Sequence, residues 1–169
     1  MEEEIGFDQR LYRDMMGLYP SGLTIVAGIC RGRPVGFTCQ SFHSVSVEPP
    51  LVLFGVMRGS ESWPEIRENG RFSVNILAET QAELSSAFAR KGVDRWEKVD
   101  WTEDAGGCPV ISGSLVSLGC ELYGEYEAGD HYIVVARVCR IKADAGAGDN
   151  LPLIFYRGRY RKIEAGPQA

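Results

Sequence analysis

The sequence has few of the residues and motifs that build metal sites and activated nucleophiles. Its 169 residues include two histidines, and its five cysteines form no C-x-x-C pair. It contains no H-E-x-x-H motif, no G-x-S-x-G nucleophile elbow and no Walker A loop. These absences argue against a standard zinc site and a hydrolase nucleophile, and they exclude a P-loop NTPase. We therefore expect no bound metal.

The sequence also lacks long apolar runs and an excess of positive charge. No apolar stretch approaches the roughly 20 residues of a membrane-spanning helix, and the first residues, MEEEIGFDQR, do not resemble a signal peptide. The net charge of −5 argues against nucleic acid as the main partner. An odd number of cysteines without paired motifs is typical of a reduced protein, so a cytoplasmic location is expected.

The composition is that of a globular protein with many turns. Apolar residues make up 44% and charged residues 24%, and there are 20 glycines. A chain of this length forms a single domain, or at most a small domain with two lobes, and buries roughly 70% of its unfolded surface. A core therefore forms without disulfides. Three tryptophans, at 63, 96 and 101, are expected to pack in that core or in an interface.

Three short helices are predicted. Helical spacing of apolar residues marks the first over 7–19. The second covers 60–70, with Ser62 as a candidate N-cap and Gly70 at its C-terminus. The third begins at a capping box over 80–83 and ends near residue 92.

Strands dominate the remaining sequence. Residues 51–57 form a continuous apolar run that predicts a strand buried on both faces. Gly129 and Asp130 separate two long strand patterns, which is a strong hairpin signal. Residues 93–113 and 145–150 are expected to be irregular. The other strands are predicted over 22–30, 34–47, 71–77, 114–128 and 131–143, with a final hairpin over 152–163 that turns at Gly158. Without a regular β–α alternation, an antiparallel mainly β barrel is the favoured architecture.

Three clusters of polar residues are candidates for a ligand site, and each has a plainer interpretation. Residues 38–46 place hydroxyl groups and an amide along one strand, as in a pocket wall or an exposed strand face. Arg90 and Lys91 can bind a phosphate or simply stabilise a helix C-terminus. His131 follows the hairpin turn, where it either contacts a substrate or is an exposed strand-end residue.

Four motifs in order resemble one known family. The segment GFTCQSFHSVSVEPPLVLF is similar to the pattern G-x-T-A-N-S-F-x-S-V-S-x-x-P-P-L-V of the short-chain flavin reductases. The resemblance continues through FSVNILAETQAELSSAFA, GDHYIVVARV and PLIFYRGRY, from about Tyr19 to Tyr160. The sequence departs from the family where Cys39 replaces alanine, Gln40 replaces asparagine and Ala136 stands where glycine is common.

The resemblance implies a fold and a set of site residues. It implies a mainly β, antiparallel six-stranded split barrel with a few short helices, as a single domain over 1–169 with its core at about 7–163 and a loose tail at 164–169. His131 is expected to position NAD(P)H. The expected flavin-binding residues are Thr38, Cys39, Gln40, Ser41, Ser44, Val45, Ser46, Phe54, Gly55, Arg58, Ser60, Phe88, Ala89, Arg90 and Lys91.

The resemblance also implies an activity. The protein is expected to be a homodimeric NAD(P)H:flavin oxidoreductase that transfers hydride from NADH or NADPH to FMN or FAD, and supplies reduced flavin to a partner monooxygenase. Two alternatives remain open at this point. One is a split-barrel module that binds flavin, or a tetrapyrrole-like or pyridoxal-like cofactor, without turnover. The other is a structural subunit with a vestigial site.

Overall fold

The computed structural model describes residues 8–90, 92, 95–144 and 150–163. Three helices, α1 to α3, cover Gln9–Met16, Ser62–Asn69 and Ala82–Ala89, and a 3-10 turn covers Glu79–Gln81. The strands β1 to β12 cover Ser21–Gly22, Thr24–Cys30, Arg33–Cys39, Phe42–Ser46, Leu51–Met57, Arg71–Ile76, Trp101–Glu103, Pro109–Ile111, Val116–Ala128, His131–Ala143, Ile154–Tyr156 and Arg159–Arg161. The predicted loop over 145–150 lies almost wholly outside the described residues, as does the predicted tail over 164–169.

The main sheet is a curled antiparallel sheet of seven strands, in the order β3-β2-β6-β9-β10-β5-β4. Its two edge strands follow one another in the chain, because only Gln40 and Ser41 lie between β3 and β4. Three Cα–Cα steps hold the ends of these strands within about 11 Å of each other. The sheet must therefore curl until its edges meet at one corner, which produces the predicted split barrel.

The number of strands differs from the six expected, and the reason is local. The segment predicted as one strand over 34–47 forms two, β3 and β4, which separate at Gln40 and Ser41. The segment over 93–113 is also less irregular than predicted, since β7 and β8 pair within it. The predicted hairpins at Gly129 and at Gly158 are both present, as β9–β10 and β11–β12.

Helix termini are where the sequence-based predictions were least accurate. Ser62 does not cap α2: it is buried, and its hydroxyl donates to the Gly36 carbonyl at 3.1 Å. Gly70 does end that helix, in a left-handed conformation with φ of 67°. The predicted box over 80–83 is also absent, because the 3-10 turn precedes α3 and the Gln81 side chain accepts from the Ala78 amide instead.

An aromatic cluster fills the barrel core. Trp63 from α2 packs edge-to-face against Phe54 and Phe72, with ring centroids 5.5 Å and 5.7 Å away. Its indole N–H donates to Glu125 at 2.6 Å. The β5 strand contributes one fully buried face, including Phe54, while its alternate residues are half-buried, so the prediction that both faces are buried was wrong. This core fixes the start of α2 beside β3 and β5.

Candidate active site

A cavity of about 780 Å³ lies where β3, β5, β10 and the ends of the three helices meet. The volume is in the range of sites that hold a small-molecule cofactor. Several residues predicted to bind flavin or nicotinamide line it together, although they come from separate segments of the chain. These are Thr38, Cys39, Gln40, Ser41, Gly55, Ser60, Phe88, Ala89 and His131.

The other predicted site residues do not line this cavity. Ser44, Val45 and Ser46 lie on the edge strand β4, and Phe54 is buried in the aromatic core. Arg58 pairs with Glu127 at 3.6 Å, and Arg90 is exposed at the end of α3. Lys91 lies outside the described residues. The predicted site residues that line the cavity therefore lie around the corner between β3 and β4, and those along β4 do not line it.

Ser41 fixes that corner against β5. The Gly55 amide donates to Ser41 Oγ at 2.9 Å, and the Ser41 hydroxyl donates to the Gly55 carbonyl at 3.2 Å. A Cβ atom at position 55 would lie only 2.9 Å from Ser41 Oγ, so glycine is the residue that permits this contact. The two bonds hold the Gln40–Ser41 connection in place as one wall of the cavity.

Thr38 connects β3 to α3. Its hydroxyl donates to the Ser85 carbonyl at 2.7 Å, and Ser85 is completely buried. The hydroxyl hydrogen of Thr38 is therefore already used within the protein, and only oxygen lone pairs remain for a ligand. Thr38 thus positions Phe88 and Ala89 on the cavity wall as well as lining it.

Cys39 supplies a small, uncharged portion of the wall. Its side chain is buried, and that burial raises the pKa of the thiol above its ordinary value. The thiol is therefore protonated at neutral pH and is not an activated nucleophile. Its Sγ lies 3.7 Å from the Gly55 carbonyl oxygen, to which it donates a weak hydrogen bond.

His131 lies on the cavity wall beside β5 and is oriented by its neighbour. Its Nδ1 lies 2.6 Å from Asp130 Oδ1, and this hydrogen bond to His131 lowers the pKa of the Asp130 carboxyl. Its Cδ2 would lie 3.9 Å from a Cβ atom at Gly55, so the ring edge that includes Nε2 is close to the β5 wall. With Nδ1 held by Asp130, Nε2 is the ring nitrogen left for a ligand.

Arg95 is the most informative wall residue that the sequence did not reveal. Its Nη1 donates to the Gly36 carbonyl at 2.8 Å and to Ser62 Oγ at 3.2 Å, and its Nη2 donates to the Arg90 carbonyl. Its Nε is buried without a partner, and no carboxylate of the described residues pairs with the guanidinium. No local sequence pattern distinguishes Arg95. The other wall residues not predicted are Met16, Tyr19, Ser21, Phe37, His43, Val56, Met57, Gly59, Glu61 and Ser62.

Metal ligands and membrane spans are both absent from the described residues. No group of three or more histidine, cysteine, aspartate or glutamate side chains among them is arranged to hold a metal ion. No described helix has the length and apolar character needed to cross a membrane.

Comparison with known proteins gives consistent matches over most of the chain. The family described as "Flavin reductase like domain" matches residues 16–164. A flavin-dependent monooxygenase reductase subunit, HsaB of Rhodococcus jostii, is 41% identical over 157 residues, which cover 93% of this chain and 79% of the relative.

Solved structures of similar proteins share the whole fold. One is the nitrilotriacetate monooxygenase component B homologue from Mycobacterium thermoresistibile, with a TM-score of 0.92, 39% identity, and coverage of 96% of this chain and 90% of that one. Another is the NADH:FAD oxidoreductase SgcE6 of Streptomyces globisporus in complex with NAD and FAD fragments. Its TM-score is 0.88 at 30% identity, and the match covers 95% of this chain and 96% of that one. On the extent of the family match and of these identities, the protein belongs to the flavin reductase like family.

Proposed function

We propose that the protein is an NADH:flavin oxidoreductase that supplies reduced flavin to a separate monooxygenase. The observation that carries the proposal is the cavity, which joins an apolar wall, an arginine without an ion pair to any described carboxylate, and an oriented histidine. Support comes from relatives named as a monooxygenase reductase subunit and as an NADH:FAD oxidoreductase.

The wall residues suit a flavin nucleotide. Phe37, Val56 and Phe88 give the cavity apolar surface for a flat ring, beside polar side chains that can bind its edge. Two buried polar atoms of the wall, Ser21 Oγ and Arg95 Nε, have no partner among the described residues. Unpaired buried polar atoms are costly, and a ligand with hydroxyl and phosphate oxygens satisfies them.

The residues of the cavity wall then have different roles in the proposed reaction. When bound, a flavin would supply the electron sink for the hydride of reduced nicotinamide. The protein contributes orientation: the Gln40–Ser41 connection and Gly55 shape the site, and Arg95 binds the phosphate. His131 holds the nicotinamide nucleotide against the flavin. No side chain has to act as an acid or base at the reacting carbon, so few residues are catalytic in the strict sense.

The direct test is NADH consumption at 340 nm by the purified protein, with no flavin and with FMN or FAD added. Flavin-dependent oxidation of NADH is expected. Flavin binding without oxidation of either NADH or NADPH would contradict the proposal and favour a module that only binds flavin. The rates in the same assay show whether FMN or FAD is the better acceptor and whether NADH or NADPH is the better donor.

Replacing His131 with alanine should raise the KM for NADH about tenfold while the Kd for flavin changes less than twofold. The expected factor corresponds to the loss of one hydrogen bond to the nucleotide, about 1.4 kcal/mol. Steady-state kinetics and flavin fluorescence give the two values. Glu127→Ala, at an exposed position on the same hairpin, is the matched control. An unchanged KM for NADH in the His131 variant would remove His131 from the nicotinamide site.

A homodimer in the cytoplasm is proposed with this function. Tyr126 and Ile133 form a cross-strand pair on β9 and β10, yet they are 59% and 40% exposed. Apolar side chains left open on one face are typical of a surface that pairs with another chain. All five cysteines are free thiols, which agrees with a reducing compartment. Light scattering at micromolar concentration tests the dimer.

A further inference from the structure

The flavin cavity has an acidic side chain at the end where Arg95 is proposed to bind phosphate. Among the described residues that line the cavity, Glu61 is the one carboxylate and Arg95 the one arginine or lysine. Ser62, which directly follows Glu61 in the chain, accepts a hydrogen bond from Arg95 Nη1 at 3.2 Å. A carboxylate repels phosphate, so its presence on this wall requires an explanation.

Helix α2 does not use this carboxylate as a cap. Glu61 is the N-cap residue of α2, yet its side chain makes no capping hydrogen bond. Ser60 forms that bond instead, because its Oγ accepts from the Trp63 amide at 3.2 Å. The Ser62 hydroxyl donates to the Gly36 carbonyl at 3.1 Å. Hydrogen bonding at the start of the helix therefore does not account for an acid at position 61.

Ion pairing does not account for the carboxylate either. Glu61 forms no salt bridge with any described residue, although Glu65, one turn later in α2, pairs with Arg33 at 3.4 Å. Arg95 does not pair with Glu61, and its guanidinium already donates three hydrogen bonds to protein acceptors. The Glu61 side chain is left exposed at the cavity wall, without a partner among the residues that the structure describes.

The charges of this wall determine how much affinity a flavin gains from its phosphate. The phosphate of FMN is a monoester with about two negative charges at pH 8. Arg95 attracts that group, while the carboxylate of Glu61 repels it from the same wall. The attraction is therefore partly cancelled, and FMN gains less affinity from its phosphate than the arginine alone would provide. Riboflavin has no phosphate and is not affected by either charge.

We propose that Glu61 limits the affinity of the cavity for the flavin phosphate and thereby increases the rate at which flavin leaves. The inference rests on the proposed function, because Glu61 opposes a phosphate only if the cavity binds a flavin nucleotide. A reductase that supplies reduced flavin to a second protein must release that flavin after each turnover. An unpaired carboxylate beside the phosphate favours release and leaves the contacts of the flavin ring unchanged.

The test compares the Kd values of FMN and riboflavin for the protein and for Glu61→Gln, by quenching of flavin fluorescence at pH 8 and low salt. Glutamine keeps the size of the side chain and removes its charge. FMN should therefore bind about fivefold more tightly to Glu61→Gln, while riboflavin affinity changes less than about twofold. The rate of FMN release, followed by fluorescence after rapid dilution of the complex, should fall by about the same factor.

Two further variants and a salt titration separate the charge from other effects. Glu61→Asp keeps a carboxylate and should bind FMN within about twofold of the unaltered protein. Glu83→Gln removes an exposed carboxylate from the first turn of α3, outside the cavity, and should leave both affinities unchanged. Because salt screens exposed charges, about 0.5 M sodium chloride should remove most of the difference in FMN affinity between the protein and Glu61→Gln.

An unchanged Kd for FMN in Glu61→Gln, or equal changes for FMN and riboflavin, would overturn the proposal. A lower Tm of Glu61→Gln with unchanged FMN affinity would also overturn it, and would show that the carboxylate only stabilises the dipole of α2.

The NADH assay separates this proposal from the proposed function. Tighter binding of FMN alone in Glu61→Gln, without any oxidation of NADH, would support the role of Glu61 and refute the reductase activity. Flavin-dependent oxidation of NADH with an unchanged Kd for FMN in Glu61→Gln would support the reductase activity and refute the role of Glu61.

Discussion

Replacing Arg95 with alanine should weaken FMN binding about 100-fold while leaving riboflavin binding within about twofold. The two ligands differ only in the phosphate, and a guanidinium binds phosphate through charge-assisted hydrogen bonds. Truncating one partner of such a pair costs at least about 2 kcal/mol, and a 100-fold loss corresponds to about 2.7 kcal/mol. The measurement is the Kd of each ligand for both proteins by fluorescence quenching, at one fixed salt concentration.

Riboflavin is the internal control for distortion, because Arg95 also bonds to Gly36 and Ser62. Lys142→Ala removes the same charge at a position outside the flavin cavity and should leave the affinities for FMN and riboflavin unchanged. Arg90→Ala tests the sequence-based phosphate assignment; it preserves the carbonyl that Arg95 contacts, so a smaller loss of FMN affinity is expected. A similar loss for FMN and riboflavin in Arg95→Ala would show that the arginine only supports the cavity wall.

Most of the fold could be predicted because its signals are local. The Gly129–Asp130 turn and the long strand patterns beside it predict the β9–β10 hairpin, and both strands are present. The residues at 38–41 were identified through resemblance to a family motif, and they lie together on the wall of the main cavity. Periodicity and turn chemistry are properties of short segments, so a single sequence is enough to read them.

The predictions of helix caps were wrong where residues far apart in the sequence determine which hydrogen bond a side chain makes. Ser62 has the residue type of an N-cap, but its hydroxyl bonds to Gly36, which is 26 positions away in the chain. The predicted capping box over 80–83 does not form, and the Gln81 amide inside that segment donates to the Ser112 carbonyl, which is 31 positions away. A side chain that can cap a helix can equally satisfy a distant carbonyl, and only the packed structure shows which one it does.

The contacts of Arg95 could not have been predicted for the same reason. Arg95 lies in the segment predicted to be irregular, and its contacts are carbonyls and a hydroxyl contributed by β3, α2 and the end of α3. Trp101 shares a cavity with Arg33, which lies far earlier in the chain. Sequence alone suggested only that the tryptophans pack, which Trp63 confirms with 1% exposure.

Replacing Asn75 with alanine should destabilise the protein by about 3–5 kcal/mol and lower its Tm by about 10 °C. Asn75 is completely buried in β6. Its carboxamide oxygen accepts from the Ile111 amide at 3.1 Å and from the Ser117 hydroxyl at 2.6 Å. Its amide nitrogen donates to the carbonyls of Ile25 and Pro109, both at 3.3 Å. Alanine removes the acceptor of the Ile111 amide and of the Ser117 hydroxyl, and each buried group left without a partner costs about 1–3 kcal/mol.

Asn69→Ala is the matched control for this prediction. Asn69 ends α2 at an exposed position, where its amide donates one hydrogen bond of 3.1 Å to Ile29, and water can replace that bond. Urea unfolding should therefore give a loss below about 1 kcal/mol for Asn69→Ala. Equal losses of unfolding free energy in Asn75→Ala and Asn69→Ala would contradict the conclusion that the burial of Asn75 causes the large effect. Because Asn75 does not line the flavin cavity, flavin affinity measured well below the Tm should be unchanged, which separates the stability of the barrel from the chemistry of its site.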